Sequence, residues 1–565
     1  MNKLANIDYI IFVVYFLVVA SYGYWIYLRK KKATMSTKDF FLAEGSLTWW
    51  AIGASLIASN ISAEQFIGMS GNGFSVGIAV SAYEWIAAVA LIIVAVWFIP
   101  VYLKNKIYTM PQFLKTRYNE TVALIMAVFW LFLYVFVNLT SILFLGALAI
   151  NNLVGAEHFH IIMVALAVFA LVITLGGMKV IGYTDVIQVI VLIIGGLATT
   201  WLALTMVSEH FGLGRDALAG FNALMKDSPD HFEMILKKPG PGASQDYINR
   251  YLLLPGITIY FAGQWIINLN YWGCNQYITQ RALGADLKTA RNGILFAGLM
   301  KLMMPVIVML PGIAAYVLYK NGGLQGEMAP GGHFNADNAY SAVLTFLPNG
   351  LKGLSLAALT AAIVASLAGK ANSISTIFTL DIYKKYINKE ADEKKLVWTG
   401  RVTIVVAMLV AIAFTWNDLL GIGGAGGFTF IQKYTGFISP GVFAMFLLGM
   451  FWKRTTGAAA VAGIVTGFLL SVVFNNYAAQ WFGHETWLYT AFLNNNGVYE
   501  IPFQICMGWA FFFTLLVMVI LSLLGPKINP KAFQLDKAMF RLAPSTIVLI
   551  VLTLLILSAL YIRFW

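Results

Sequence analysis

The sequence predicts an all-α integral membrane protein with about fourteen transmembrane helices, and three observations predict it. Of its 565 residues 60% are hydrophobic and only 11% charged, where soluble domains carry about 25% charged residues, and the mean hydropathy is +0.77. The apolar residues fall in continuous blocks of roughly 20, the length a helix needs to cross the hydrocarbon core. Between the blocks, Lys and Arg concentrate in alternate connections.

The blocks lie at 7–28, 48–74, 78–103, 122–150, 159–177, 185–207, 252–275, 292–319, 350–380, 402–418, 424–452, 456–475, 502–524 and 545–563. They are apolar throughout rather than alternating, which favours helices over a barrel, since each helix satisfies its own backbone in lipid. The first block ends in the basic run Arg29–Lys32 with no small-residue cleavage site, so it reads as a retained span. One set of connections holds that run, Lys104/Lys106/Lys115/Arg117, Arg281/Lys288/Arg291, the 384–401 segment and Lys527/Lys531/Lys537/Arg541. The positive-inside rule makes this set cytoplasmic and puts both termini outside. The net charge of +12 is then a topology signal, and no soluble basic domain exists to bind nucleic acid. No composition shift marks a second domain or an obligate protein partner. The whole chain, 1–565, reads as one transmembrane domain.

Two spans carry polar and glycine residues at bilayer depth. One holds Ser59-Asn60-Ile61-Ser62-Ala63-Glu64-Gln65, the other Gly263-Gln264-Trp265 followed by Asn268-Leu269-Asn270-Tyr271-Trp272-Gly273. Interruptions five spans apart point to broken helices in matching places of two inverted repeats, with a site at the midplane. The halves would be 48–207 and 252–452, with 7–28 added in front and 456–565 behind. A polar contact between helices would produce the same interruptions.

Charged side chains are costly at mid-bilayer, about 2.5–3.5 kcal/mol each on insertion scales. Those expected there are Glu64, Glu84, Asp185, Lys301, Lys370 and Lys433, each a candidate for half of a buried ion pair. Gln65, Glu84, Asn268, Lys301 and Gln432 supply the donors and acceptors that the hydroxyls of a neutral sugar need, and Tyr271, Trp272, Tyr83 and Phe428 supply apolar faces for its ring. An anionic substrate would call for unpaired Arg, and no Arg is expected inside a span. For a hard cation, the carbonyls freed at Ala58–Ile61 and the small-residue stripe Ala362, Ala365 and Ser366 are the candidates, although such a stripe also serves close helix packing. Walker motifs, nucleophile elbows and metal-spaced His/Cys sets are all missing, which argues against an enzyme.

The run from Gly53 through Ser59-Asn60-Ile61-Ser62-Ala63-Glu64-Gln65-Phe66-Ile67-Gly68 resembles the sodium/glucose cotransporters of the solute:sodium symporter family, nearest to its bacterial sodium/galactose members. So do Tyr83-Glu84-Trp85, Tyr183-Thr184-Asp185-Val186-Ile187-Gln188, Tyr271-Trp272-Gly273 and Asp381-Ile382-Tyr383. The likeness spans about residues 37–455. It implies a five-plus-five inverted-repeat core of the LeuT type, with alternating access and sodium-driven uptake of a hexose. It also implies sugar contacts at Gln65, Glu84, Asn268, Lys301 and Gln432, with Asn60 beside them and Asn138 as a helper. Tyr271 corresponds to the inner gate, and Met69, Tyr83 and Phe428 to the outer one. Sodium would bind at Ala58, Ile61, Ala362, Ala365 and Ser366, with Asp185 nearby on the ion path.

Three departures stand out against that family. Ala87 replaces a serine near the sugar, Asn270 an aromatic residue, and Ala365 the first of two serines facing the ion. Lys370 occupies a position where the relatives have no charge. Lying four residues after Ser366, it shares that helix face. Lys370 is therefore expected to pair with Asp185, to stand in for the cation, or simply to snorkel toward water. Two alternatives stay open beside hexose symport: a polyol such as inositol or a sugar acid as cargo, and a sugar sensor or channel on the same fold.

Overall fold

The computed structural model describes residues 4–29, 37–42, 47–154, 158–261, 263–329, 332, 334–422 and 427–565; the basic residues 30–32 of the sequence argument lie outside them. Nine helices hold the site or its supports: α1 (Asn6–Arg29), α2 (Trp49–Asn60), α3 (Ala82–Ile93), α4 (Met178–His210), α5 (Gly263–Cys274), α6 (Gln276–Leu283), α7 (Leu287–Lys301), α8 (Leu351–Thr376) and α9 (Gly427–Gly436). The only named strands among the described residues are Phe492–Leu493 and Tyr499–Glu500, paired antiparallel in an extramembrane hairpin.

Nine described helices are long and apolar enough to cross a membrane, or eleven if two bent pairs each count as one span. The expected fourteen are therefore not all continuous crossings. The block at 48–74 is broken after Asn60, 159–177 gives only the helix Phe159–Thr174, and 424–452 divides into α9 and Ser439–Phe451. Runs of exposed apolar side chains, such as Ile10, Val13, Val14 and Leu17 on α1 and Val548, Val551 and Leu555 on the last helix, are intelligible only against lipid.

Helix α8 is the central post, buried along nearly its whole length and packed against α1, α2 and α4. Its N-terminus is capped by the added first helix: Asp8 Oδ1 accepts from the amides of Gly350 (2.7 Å) and Gly353 (2.8 Å). A carboxylate there satisfies orphan donors and meets the positive end of the helix dipole. Helix α7 is started in the same manner by Asp286, whose Oδ1 accepts from Lys288 N (3.0 Å) and Thr289 N (3.1 Å). Its last residue, Lys301, is thereby aimed into the centre of the protein.

Candidate functional site

The break after α2 is built by one serine and one glutamine. Ile61 is extended (φ −78°, ψ 111°). The amide of Ser62 then bonds to Gln65 Oε1 (3.0 Å), that of Glu64 to Ser62 Oγ (3.2 Å), and that of Gln65 to Ser62 O (3.1 Å). In a continuous helix these three amides would have bonded to the carbonyls of Ala58, Asn60 and Ile61. Those carbonyls are left for another partner. The chain resumes as a π-turn at Glu64–Met69, and α9 lies so close to it that a Cβ on Gly68 would meet Phe428 Cβ at 2.5 Å. Glycine here lets Phe428, an expected gate residue, pack directly against the π-turn.

The second interruption brackets the cluster that the sequence singles out. Residues 263–274 form a regular helix, α5, bent by 80° from the preceding segment Gln245–Tyr260, and the chain opens again at Asn275 (φ −97°, ψ 129°) before α6. Gln264 and Asn268 are four residues apart because they share one helix face, with Asn268 Nδ2 donating to Gln264 O (2.9 Å) and Oε1 (3.2 Å). At the opening after α5, Tyr102 Oη donates to Gly273 O (2.6 Å) and Tyr134 Oη to Asn275 Oδ1 (2.5 Å).

Between the two breaks lies one pocket. Among its lining residues are Asn60, Gln65, Glu84, Asn138, Asn268, Lys301 and Gln432 with Tyr83, Tyr271 and Phe428. The structure thus brings together every expected sugar contact, and all the expected gates line the pocket except Met69, which is wholly buried in the π-turn. Lys301 on α7 and Glu84 on α3 form a buried ion pair, and Lys301 also donates to Asn60 Oδ1. Asn60 Nδ2 in turn donates to Tyr271 Oη at 2.9 Å. Such a chain leaves carboxylate and amide lone pairs facing the cavity, and two buried charges neutralise each other without demanding a charged ligand. The outer aromatics close edge to face, Tyr83 to Phe428 at 5.1 Å between ring centroids, and Gln504 Nε2 pins Tyr83 Oη at 2.9 Å. Ala87 also lines the pocket, and Asn270 bonds Ser439 Oγ at 3.1 Å.

On the ion side, Ser366 Oγ donates to Ser59 O at 2.9 Å, which fixes α8 against the break. Ala58, Ile61, Ala362 and Ala365 are all buried there. Freed carbonyls beside a serine hydroxyl are the donors a hard cation takes.

The charges pair differently from expectation. Lys370 does not meet Asp185. Its Nζ lies 3.9 Å from Glu64 Oε1 and 5.1 Å from the Tyr277 ring centroid, in the lining of the pocket. Asp185 accepts from Ser55 Oγ (2.5 Å) and faces Arg281 at 3.9 Å. Arg281, counted by sequence among the cytoplasmic cations, is wholly buried and donates to Ser55 Oγ (2.7 Å), Ser59 Oγ and Tyr277 O. The loop count registers where its Cα lies, whereas the long side chain turns inward to ligands that satisfy it. Lys433 is no pocket residue: it binds Glu500 of the hairpin at 2.7 Å.

The model of the sodium:solute symporter family matches residues 40–467, enclosing every residue that lines the pocket. The chain belongs to the sodium:solute symporter family. Membership makes it a multi-pass membrane transporter with sodium as coupling ion. Within the family it is similar to a sodium/glucose cotransporter of Vibrio parahaemolyticus, 42% identical over all of this chain and 99% of that one. It is 33% identical to sodium/glucose cotransporter 1 of Ovis aries, over 82% of this chain and 71% of the relative. To human sodium/myo-inositol cotransporter 2 it is also 33% identical, over 82% and 69%. The symporter's fold is that of a solved Na+-coupled sialic acid symporter in a substrate-bound outward-open state, with TM-score 0.75 at 19% identity over 93% of this chain and 99% of that one. This confirms the five-plus-five LeuT-type core with broken helices.

Proposed function

We propose that this protein imports a neutral hexose, galactose or glucose, by alternating access driven by the sodium gradient, and that it performs no covalent chemistry. The observation that carries the reading is the Glu84–Lys301–Asn60–Tyr271 chain along one wall of a pocket set between two helix breaks. A carboxylate, an ammonium and amides around an aromatic ring match hydroxyls that both donate and accept. Gln65 turns its Oε1 to Ser62, which leaves its NH2 for the sugar, and Asn138, Asn268 and Gln432 complete the edge. Tyr271 gates one side, and Met69, Tyr83 and Phe428 the other. Sodium binds the carbonyls of Ala58 and Ile61 with Ser366 beside Ala362 and Ala365, and Asp185 lies on its path.

The two repeats are 48–207 and 252–452, both termini lie outside a bacterial plasma membrane, and lipid, sugar and sodium are the only partners required. The similarity to a myo-inositol cotransporter and the missing Ala87 hydroxyl favour a second reading in which the cargo is another polyol. Ala365 favours a weakened sodium requirement.

The test is accumulation of labelled sugar by proteoliposomes under an inward sodium gradient, with galactose, glucose and inositol as competitors. Uphill accumulation that collapses when choline replaces sodium supports the reading. Binding without accumulation makes the protein a sensor or channel, and competition by inositol alone changes the cargo.

A further inference from the structure

The pocket contains a second carboxylate–ammonium pair that the sugar contacts above leave unused. Glu64 stands on the π-turn after the first break and Lys370 on α8, four residues beyond Ser366. Both are buried, with side chains 11% and 4% exposed, and both line the same pocket as Glu84 and Lys301. The separation of 3.9 Å is too long for a hydrogen bond. Glu64 Oε1 has no hydrogen-bond partner, and the Lys370 ammonium meets only this carboxylate and the face of Tyr277 among the described residues. Two buried charges are thus held near each other with their directional bonds unmade, in contrast to Lys301, which bonds both Glu84 and Asn60.

The two pairs sit at opposite ends of one continuous wall. From Glu84 it runs through Lys301 and Asn60 to Tyr271. It continues across the edge-to-face contact of Tyr271 with Tyr277 (5.6 Å) to Lys370 and Glu64. A single neutral group completes an open carboxylate–ammonium pair if it donates to the one and accepts from the other, and a hydroxyl does both. Aliphatic groups do neither. A carboxylate on the ligand would satisfy Lys370 but confront Glu64.

We propose that Glu64 and Lys370 form a second sugar clamp, which binds one hydroxyl of the hexose at the edge away from Glu84 and Lys301 and so reads the configuration at that carbon. This rests on the proposed sugar cargo and adds to it the subsite that selects among hexoses. It also gives Lys370 a role on the substrate side of the break, facing the pocket rather than Asp185.

The experiment is competition of labelled hexose uptake by a complete set of monodeoxy hexoses, on the full-length protein in proteoliposomes. It compares the wild type with Glu64→Gln, Lys370→Met and the double variant, each at several sodium concentrations. In the wild type, one deoxy position served by the clamp weakens binding by roughly 10–100-fold, the loss of a hydrogen bond to a charged group. In Lys370→Met and Glu64→Gln, the parent sugar falls to the level of that analogue, so their ratio collapses toward one while the ratios at other carbons hold.

Unchanged ratios at every carbon, whatever the absolute affinity, overturn the proposal and leave the pair a structural one. A shift confined to the sodium dependence overturns it too, and makes Lys370 a resident substitute for the cation. If either single variant fails to fold with one charge left alone, the double variant removes both and is read in the same way. A wild type that transports no hexose at all fails the underlying reading, an outcome distinct from a failed clamp.

Discussion

Asn60 bridges two chemically different parts of the pocket: its Nδ2 donates to the Tyr271 hydroxyl at 2.9 Å, and its Oδ1 accepts from the Lys301 ammonium. The first bond is neutral and touches the proposed inner gate, while the second is charge-assisted and belongs to the buried pair. Asn60→Ala therefore raises the sugar concentration for half-maximal uptake by about 10-fold or more, since Lys301 loses an acceptor that orients it. Tyr271→Phe, which removes only the neutral bond, has a smaller effect on that concentration. Equal effects in the two variants would detach Asn60 from the sugar-binding wall.

The Glu84–Lys301 pair is 4% and 1% exposed, so removing one partner strands a charge. Glu84→Gln and Lys301→Met each lower the melting temperature in detergent, by an amount equivalent to about 3–5 kcal/mol. The double variant Glu84→Gln/Lys301→Met recovers most of that loss because no lone charge remains buried. Uptake stays absent in all three. Recovery of transport in the double variant would show the pair to be structural and would move the sugar site elsewhere.

The first break was legible because Ser59, Asn60, Ser62, Glu64 and Gln65 crowd seven consecutive positions, and no regular helix face absorbs so many polar groups. The second cluster was legible only in part. The bend falls just before Gly263, but Gln264 and Asn268 are spaced for one helix face, and the further opening at Asn275 carries an amide that composition cannot distinguish from a helix residue. The Lys301–Glu84 pairing followed from complementary charge at bilayer depth. The partners of Lys370, Asp185 and Arg281 did not, because helix spacing gives the face of a residue but not the reach of a long side chain. Arg281 was the largest omission. Gly369 was its one trace in the sequence: a Cβ there would lie 2.4 Å from an Arg281 guanidinium nitrogen.

Outside the membrane, Asp230 ties the long loop to the segment that follows the first break. Its carboxylate meets His231 Nδ1 (3.2 Å) and accepts from Arg250 Nη1 (2.7 Å). Arg250 also donates to Val76 O (2.9 Å), and His231 Nε2 lies 3.0 Å from Phe74 O. The His231 hydrogen bond, and then that from Arg250, hold this carboxyl well below the usual carboxylate range against the opposing effect of burial. A depressed folded-state pKa stabilises at pH above the unfolded value, about 3.9, and the contribution is lost as pH falls through the folded one. Asp230→Asn accordingly lowers the melting temperature at pH 7, and its deficit against wild type narrows as pH drops below about 4. Asp230 is half exposed, so screening keeps the effect to about 1 kcal/mol or less. A deficit that widens with acid would assign the loop's stability to other groups.

In the proposed sodium site, Ala365 is the position that would set how firmly the ion is held. The carbonyls freed at Ala58 and Ile61 are fixed by the rerouted amides of Ser62 and Gln65, and the Ser366 hydroxyl donates its proton to Ser59 O, so its lone pairs stay available to a cation. One turn of α8 thus offers one hydroxyl where the resembled family offers two. Ala365 is 1% exposed and differs from serine by a single oxygen, so Ala365→Ser adds a ligand with little change of volume. The expected result is a fall of roughly 10-fold in the sodium concentration for half-maximal sugar uptake, the scale of one added bond to a charged group. The sugar dependence at saturating sodium should change little. An unaltered sodium dependence in a well-folded Ala365→Ser protein would place the coupling ion away from the turn that carries residues 362–366, and would leave the open carbonyls of the break to the sugar.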